Sequence, residues 1–314
     1  MNITVLISSL IFSTISCFVY KKIWNLFFLK RIATGYGYLL IYFILIYSYL
    51  LESPLIDIKV FVIILFFSSI YWIDDIKHIS FILRLLIQFF CGLTIAFLIL
   101  IENNAIYNHN FLIIIICSGF LNIFLTNIVN FYDGLDLNIS IFSIILSLVL
   151  IFLFSFEKNY EYLGLILLSF ILGFMLFNFT PNNIFFGDSG CFVISSIINI
   201  IIIKSILSLD YGAAYLAIPF LFLVIDVSYV LLLRIYLKES LLTRNYHHIY
   251  HKLEERYKNK VYLLPQIVCA SGIFAVSIFI APTNYTSVLK FLMVSLILTL
   301  VLYFCIHFFV IRRN

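Results

Sequence analysis

Residues 60–80 read VFVIILFFSSIYWIDDIKHIS, an uncharged run that ends in two adjacent aspartates. The run from Val60 to Ile73 contains no charged residue and is typical of a helix within a membrane. A carboxylate at the edge of the hydrocarbon is costly, and a neighbouring carboxylate adds repulsion between like charges. We therefore expect Asp74 and Asp75 to have a partner at this edge that offsets the cost.

The composition places the chain among the polytopic membrane proteins. Of its 314 residues, 64% are hydrophobic and 11% are charged, which is far more apolar surface than a soluble domain needs. The net charge of +4 gives no indication of a nucleic-acid partner. Because no linker or internal repeat interrupts the pattern, we predict one all-α integral membrane domain over residues 1–314.

Windows near the thickness of a bilayer predict about eleven transmembrane helices. Their predicted limits are 3–20, 36–51, 59–73, 81–101, 111–128, 139–156, 161–177, 191–209, 213–237, 261–281 and 286–310. Several of these are short for a full crossing, so we expect tilted helices or a locally thinner bilayer.

The distribution of lysine and arginine sets the expected orientation of the helices. Basic residues concentrate after the first, third, ninth and last spans, for example at Lys21, Lys238 and Arg313. We therefore expect a multi-pass protein of the inner (cytoplasmic) membrane, with the N-terminus outside and the C-terminus in the cytoplasm. The predicted cytoplasmic loops with polar clusters are 21–37, 74–80, 127–138, 178–190 and 238–260.

The first cluster begins at the aspartate pair. Lys77 and His78 follow Asp74 at i,i+3 and i,i+4, so the three share one face of a helix. Asp75 lies about 100° away from Asp74 around the same helix. The simpler alternative is a charged helix end at the membrane surface.

The second cluster places Asn127, Asn130 and Asp133 at every third position after an uncharged span. This spacing forms one polar stripe on a helix, and Gly134 then permits a turn before Asp136. Such a stripe needs partners, which are either a ligand or neighbouring helices. A ladder of interhelical hydrogen bonds is therefore the alternative to a binding site.

The third cluster is a loop in which Gly187 and Gly190 flank a single carboxylate, Asp188. Pro181 marks the end of the preceding helix, shortly after Asn178. Glycine lets backbone amides approach an anion closely, while Asp188 can hold a cation. An ordinary turn between two spans is the alternative.

The fourth cluster combines Arg244, His247, His248 and His251 in the longest cytoplasmic loop. These N–H donors suit a phosphate-rich ligand. Two alternatives remain open, a zinc site at His247 and His251 and a basic segment that attracts anionic lipid headgroups. Together with the acids of the other loops, the set suits a diphosphate bound with Mg²⁺, or with Mn²⁺ in its place.

In order and content the four clusters resemble the motifs of the polyprenyl-phosphate N-acetylhexosamine-1-phosphate transferases, in glycosyltransferase family 4. Asp74 and Asp75 match the paired aspartates of that family, and Lys30 to Gly37 stands in the place of its basic, glycine-rich loop. The other matches are Asn127, Asn130, Asp133, Gly134 and Asp136 in NxxNxxDGxD, then Asn178, Pro181, Phe185, Gly187, Asp188 and Gly190 in NxxPxxxFxGDxG, and His248 and His251 in HxHH.

Three departures from the family pattern concern the sugar more than the reaction. Residues 137–139 are Leu-Asn-Ile where Gly-Leu-Ala is usual, and Cys191 replaces a serine. Tyr250 replaces the middle histidine of the last motif, which is similar to the branch that initiates O-antigen synthesis.

The resemblance implies transfer of N-acetylhexosamine-1-phosphate from a UDP-sugar to undecaprenyl phosphate, with release of UMP, as the first step of a cell-surface polysaccharide. It implies Mg²⁺ held by Asp75 and Asp188, with Asp74 as the base or nucleophile. The implied substrate-binding residues are Lys77, Asn127, Asn130, Asp133, Asp136, Asn178, Arg244, His248 and His251. Because a phosphate monoester is largely dianionic at neutral pH, we expect direct displacement rather than an aspartyl intermediate.

Other functions remain open. One is the lipid-I-forming transferase of the same family, and others are an aromatic prenyltransferase, an alcohol phosphatidyltransferase and a membrane scaffold. A transporter would place ionisable groups near the midplane, whereas the charged clusters lie at one edge of the bilayer. Asp226, within the span that ends at Arg234, is either functional or a partner for a neighbouring helix. Lys204 in the eighth span has no assigned role. The sugar (GlcNAc, QuiNAc, FucNAc or another), the polymer and the oligomeric state, a homodimer included, are not determined.

Overall fold

The computed structural model of the chain describes residues 2–28, 32–104, 110–154, 158–180, 184–240, 246–257 and 259–311. Lys30, Pro181, Arg244 and Arg313, which were singled out in the sequence, lie outside these ranges. Within them every regular element is helical, and the one other backbone pairing is an isolated bridge between Ala33 and Ile184. The all-α prediction is confirmed for this part of the chain.

The chain divides into two compact units, Met1–Asp210 and Tyr211–Asn314. The helices of the first unit are α1 (Asn2–Phe27), α2 (Leu40–Leu50), α3 (Ile58–Ile76), α4 (Phe81–Glu102), α5 (Phe111–Tyr132), α6 (Asn138–Phe152), α7 (Lys158–Asn178) and α8 (Asp188–Leu207). Those of the second unit are α9 (Ala217–Tyr236), α10 (Ile249–Tyr257), α11 (Leu264–Phe279) and α12 (Tyr285–Ile311). Short 3-10 helices, Tyr36–Leu39, Tyr211–Leu216 and Lys260–Leu263, precede α2, α9 and α11.

Among the described residues, eight helices are long and apolar enough to cross a membrane. They are Ile3–Phe27, Phe81–Glu102, Phe111–Tyr132, Lys158–Asn178, Asp188–Leu207, Tyr211–Tyr236, Lys260–Phe279 and Tyr285–Phe309. Each of the eleven predicted spans overlaps a helix, but α3 and the shorter apolar helices Tyr36–Leu50 and Asn138–Phe152 are outside this set of eight. These helices support the prediction that the chain is a membrane protein, while the eleven crossings and the orientation stay predictions.

Two helices differ from the expectation, and both differences have a physical reason. The first span was predicted to end near residue 20, whereas α1 continues to Phe27. Lys21 and Lys22 lower the hydropathy there, but charged side chains do not interrupt the backbone hydrogen bonds of a helix. Helix α10 was not predicted at all, because it is short and polar and hydropathy cannot detect it.

The packing of the first unit brings two of the predicted loops together. Most side chains of α8 are buried, and α8 packs against α3, α4 and α5. Helices α1 and α6 both pack on α7. Because α8 begins at Asp188 and packs on α3, the loop before α8 lies at the end of α3 that carries the aspartate pair.

In the second unit, α9, α11 and α12 pack against one another. The short helix α10 lies against the 3-10 helix that follows it and against α12. Helix α9 carries two buried charged residues, Asp226 and Arg234.

Candidate active site

Three segments of the first unit meet at the candidate site. The chain around Ala33 pairs with the chain around Ile184, where the N–H of Phe185 donates to the carbonyl of Ala33 at 2.8 Å. Further on, the N–H of Gly37 donates to the carbonyl of Phe186 at 2.9 Å. The third segment is the C-terminal turn of α3, and it contacts this pair of loops through Asp75.

Two glycines make the close approach of these segments possible. Gly35 and Gly187 have φ angles of +79° and +86°, which L side chains rarely adopt. A Cβ atom at residue 187 would lie 2.5 Å from the amide nitrogen of Gly35 and 2.7 Å from Oδ2 of Asp75. The glycine-rich character of both loops therefore serves to bring their backbones against the carboxylate.

Asp75 accepts hydrogen bonds from the first turn of α8. Its Oδ1 accepts from the N–H of Asp188 at 2.9 Å, and its Oδ2 accepts from the hydroxyl of Ser189 at 2.6 Å and from the N–H of Ser189 at 3.2 Å. The N–H groups of a first turn have no partner within the helix, and the helix dipole favours negative charge there. Asp75 thus joins the end of α3 to the start of α8.

Asp74 contacts a different partner, Arg84 of α4. Its carboxylate forms an ion pair with Nε of Arg84 at 2.8 Å and accepts from the N–H of Ile79 at 2.5 Å. Nη1 of the same arginine lies 3.1 Å from Oδ2 of Asp188. One guanidinium therefore bridges the first and third clusters.

Arg84 is the site residue that the sequence analysis did not assign. Lys77, which follows Asp74 at i,i+3, is exposed at the end of α3, and the ion pair of Asp74 is formed by Arg84 instead. The signal in the sequence was the single charge near the start of the otherwise apolar span 81–101.

The second cluster contributes Asn130 and Asp133. The side chain of Asn130 interacts favourably with the carboxylate of Asp188, and the backbone of Gly187 interacts favourably with the carboxylate of Asp133. Asp133 follows α5, and Asp75 follows the predicted span 59–73, so both lie outside the spans. Burial, with the charge of Asp188 next, raises the pKa of Asp75 to about 7, and the same causes raise the pKa of Asp133 well above its usual value.

The rest of the polar stripe is held by other helices or by backbone. Asn127 donates to Oε1 of Gln88 in α4 at 2.9 Å, as the alternative of an interhelical ladder would have it. Asn178 is buried, accepts from the N–H of Leu137 at 2.7 Å and donates to the carbonyl of Ile184 at 2.9 Å. It therefore fastens the loop after α5 to the loop before α8. Asp136 lies half-buried in the first of these loops.

The histidine segment belongs to the second unit. His248 is buried and its Nδ1 lies 2.7 Å from Oδ2 of Asp226, while His251 is half-buried one turn further on in α10. His247 pairs with Glu239 at 2.9 Å. Arg244, which was predicted to bind the phosphate-rich ligand together with these histidines, lies outside the described residues.

The donors of the first unit suit a hard divalent cation only in the company of a phosphate. Within the described ranges no group of three or more His, Cys, Asp or Glu side chains is arranged to hold a metal ion. Mg²⁺ commonly takes one or two carboxylates and completes its shell with water and substrate phosphates. Asp188, whose side chain is 30% exposed, fits that use better than Asp74, which is 2% exposed.

Residues 58–206 match the family model described as glycosyl transferase family 4. The match runs from α3 to α8 and contains Asp74, Asp75, Asp133 and Asp188. The matched segment, 149 of the 314 residues, is similar to glycosyl transferase family 4. Comparison with curated proteins finds no match.

Proposed function

We propose that this chain is a polyprenyl-phosphate sugar-1-phosphate transferase of the cytoplasmic membrane. Its substrates would be a UDP-N-acetylhexosamine and undecaprenyl phosphate, and its products UMP and a polyprenyl diphosphate sugar. The observation that carries the proposal is a cluster of four aspartates, Asp74, Asp75, Asp133 and Asp188, within the segment that matches glycosyl transferase family 4. Arg84 bridges two of them, Asp74 and Asp188.

The proposed reaction is a single displacement at phosphorus. An oxygen of the acceptor phosphate forms a bond to the β-phosphorus of the UDP-sugar, the bond from that phosphorus to the bridging oxygen breaks, and UMP leaves. A phosphate monoester has its second pKa near ~6, so the acceptor needs little help from a base. The burial of Asp74 and its ion pair with Arg84 favour a part in positioning over one as a nucleophile.

We assign the other residues by the same reasoning. Asp188 and Asp75 would hold Mg²⁺, with Mn²⁺ as a substitute, and the bound ion would offset the charge of the reacting phosphates. Asn130 and Asp133 would contact the nucleotide, and His248 and His251 the diphosphate. Lys77, Asn127, Asp136, Asn178 and Arg244 remain in the proposed substrate-binding set.

The finer assignment is also a proposal. Tyr250 in the last motif favours the branch that starts O-antigen over the enzyme that forms lipid I. Purified protein in detergent, with undecaprenyl phosphate, Mg²⁺ and a panel of UDP-sugars, should release UMP with at least one of them. Without the lipid acceptor no stoichiometric UMP should appear, and its appearance with a sugar-phosphoryl enzyme would overturn the single displacement.

A substitution separates an enzyme from a membrane scaffold. Asp188→Asn should lower turnover by about 10²-fold or more, because an amide cannot balance a cation at the reacting phosphates. The control is Asp57→Asn at the opposite end of α3, where the side chain only caps the helix and asparagine caps equally well. UMP release by both variants at equal folded protein is the measurement, and equal rates would exclude the proposed role of Asp188.

A further inference from the structure

Asp226 is a buried carboxylate in a membrane helix, and it lies at the junction of three elements of the second unit. It belongs to α9 and is 2% exposed. Its Oδ2 lies 2.7 Å from Nδ1 of His248, and its Oδ1 accepts from the hydroxyl of Tyr303 in α12 at 2.9 Å. A buried charge is costly unless it is paired and hydrogen-bonded, and Asp226 is both.

The same carboxylate also marks the start of α10. Oδ1 of Asp226 accepts from the N–H of Ile249, the first residue of that helix, at 3.2 Å. First-turn N–H groups need a partner from outside the helix, and negative charge is favourable at that end. Helix α10 carries His251, so Asp226 sets the starting point of the element that presents the last histidine of the motif.

The contact with His248 restrains both the direction and the proton of the ring. An ionised carboxylate only accepts hydrogen bonds, so Nδ1 must carry the proton that lies between the two side chains. The ring of Tyr250 stacks on the imidazole, with 5.1 Å between centroids and 11° between planes. One face and one edge of the His248 ring are therefore fixed.

We propose that Asp226 is a positioning residue, which holds His248 in its Nδ1–H form and anchors the start of α10. The inference rests on the proposed function, where His248 and His251 contact the diphosphate. The arrangement has the logic of the aspartate in Ser-His-Asp hydrolases, which orients an imidazole and selects its tautomer without touching substrate. Asp226 acts on the substrate only through the histidine segment.

Two variants of this junction separate the two kinds of contact. Asp226→Asn preserves the size and one acceptor oxygen, but its amide donates toward Nδ1 and so favours the opposite tautomer. Tyr303→Phe removes another hydrogen bond to the same carboxylate and leaves the contact with His248 in place. We expect Asp226→Asn to lower kcat by about 10- to 100-fold with little change in KM, which is the usual effect of losing a partner that orients a ligand residue. Tyr303→Phe should stay within about threefold of the wild type.

The decisive measurement reports the proton and does not depend on turnover. Full-length protein labelled with 15N-histidine in micelles gives the nitrogen shifts of all six histidines, and a His248→Gln variant identifies those of His248. At about pH 8 the wild-type spectrum should show a protonated Nδ1, and Asp226→Asn should move the proton to Nε2. An unprotonated Nδ1 in the wild type would overturn the inference by itself, whether or not the variant folds. The same spectrum from Asp226→Asn as from the wild type would also overturn it.

The two proposals fail in different ways. If the wild type releases no UMP with any UDP-sugar, the proposed function is wrong, while the histidine spectra still decide the position of the proton. If the wild type is active and Asp226→Asn keeps its kcat, the reaction stands and the role of Asp226 falls.

Discussion

At the scale of the residue, two adjacent aspartates have different partners. Neighbouring positions on a helix point about 100° apart, so Asp74 and Asp75 face different elements. Asp74 contacts Arg84 of α4, and Asp75 contacts the first turn of α8. The repulsion expected from the sequence is thereby reduced, because each carboxylate has its own donors. The same substitution should therefore have different effects at Asp74 and at Asp75.

The bridge made by Arg84 yields a prediction about stability. Arg84→Met leaves the buried carboxylate of Asp74 without its cation, which should cost about 1–3 kcal/mol of unfolding free energy. Arg84→Lys should lose less stability than Arg84→Met. It should still be less active than the wild type, because one ammonium cannot bond to Asp74 and Asp188 in the manner of a guanidinium. Thermal unfolding and UMP release of the two variants are the measurements. If Arg84→Met unfolds at the temperature of the wild type, the ion pair is not a stabilising one.

The glycine loop yields a second prediction at this scale. Gly187→Ala should reduce activity by more than about tenfold, because a methyl group there would displace Asp75 or the backbone of Gly35. The matched control is Gly272→Ala in α11, where the nearest atom to the new methyl group is the end of the Leu298 side chain at 3.1 Å. Initial rates of UMP release decide between them, and equal rates in the two variants would contradict the proposed fit.

At the scale of the element, polar side chains connect α3, α4 and α5 within the first unit. Gln88 of α4 donates to the hydroxyl of Tyr71 in α3 at 2.7 Å and accepts from Asn127 of α5. The ring of Tyr71 stacks on Phe192 of α8, with centroids 4.5 Å apart. The hydroxyl of Tyr71 in turn donates to the carbonyl of Arg84 at 3.2 Å. These contacts thus fix the positions of the helices that carry the aspartates and the arginine relative to one another.

This ladder predicts an interaction energy between α3 and α4. Tyr71→Phe and Gln88→Leu each leave a buried polar group without its partner and should each cost about 1–3 kcal/mol of unfolding free energy. The double variant should cost less than the sum of the two by about 0.5 kcal/mol or more, because both changes remove the same hydrogen bond. Denaturant unfolding in micelles supplies the four values. Strict additivity would show that the two side chains do not interact.

At the scale of the whole molecule, the aspartate cluster and the histidine segment belong to different compact units. The match to glycosyl transferase family 4 covers residues 58–206 and lies within the first unit. The proposed reaction class therefore rests on the first unit. The part played by the second unit is a proposal, and the variants of Asp226 and Tyr303 test it.

The orientation of the chain is the prediction that belongs to this scale. An odd number of crossings puts the termini on opposite sides, and the basic residues put the C-terminus in the cytoplasm. Alkaline phosphatase fused after Asn104 should be active, and a fluorescent protein fused after Glu239 or at the C-terminus should fluoresce. The opposite result at both internal positions would reverse the orientation. Results that place Asn104 and Glu239 on the same side of the membrane would refute the span count.

Sequence alone determined the class of the protein and the places of its helices. Hydropathy is a property of short stretches, and in a membrane each apolar stretch must satisfy its own backbone hydrogen bonds, so the position of a helix is a local matter. The same is true of the four polar clusters, because each is a run of neighbouring residues that interrupts an apolar pattern. Helix α10 was missed for the same reason, since nothing apolar marks it.

Only the tertiary structure decided which partner each polar group has. Asp75 bonds to Asp188 over 113 residues of chain, and Arg84 reaches the same aspartate over 104. Asp226 and His248 are closer in sequence, but 22 residues still separate the two partners. No periodicity encodes such pairs, because they depend on the packing of α3 and α4 against α8 and of α12 against α9. A short-range pattern therefore predicted where the charges are, and long-range packing determined which of them meet.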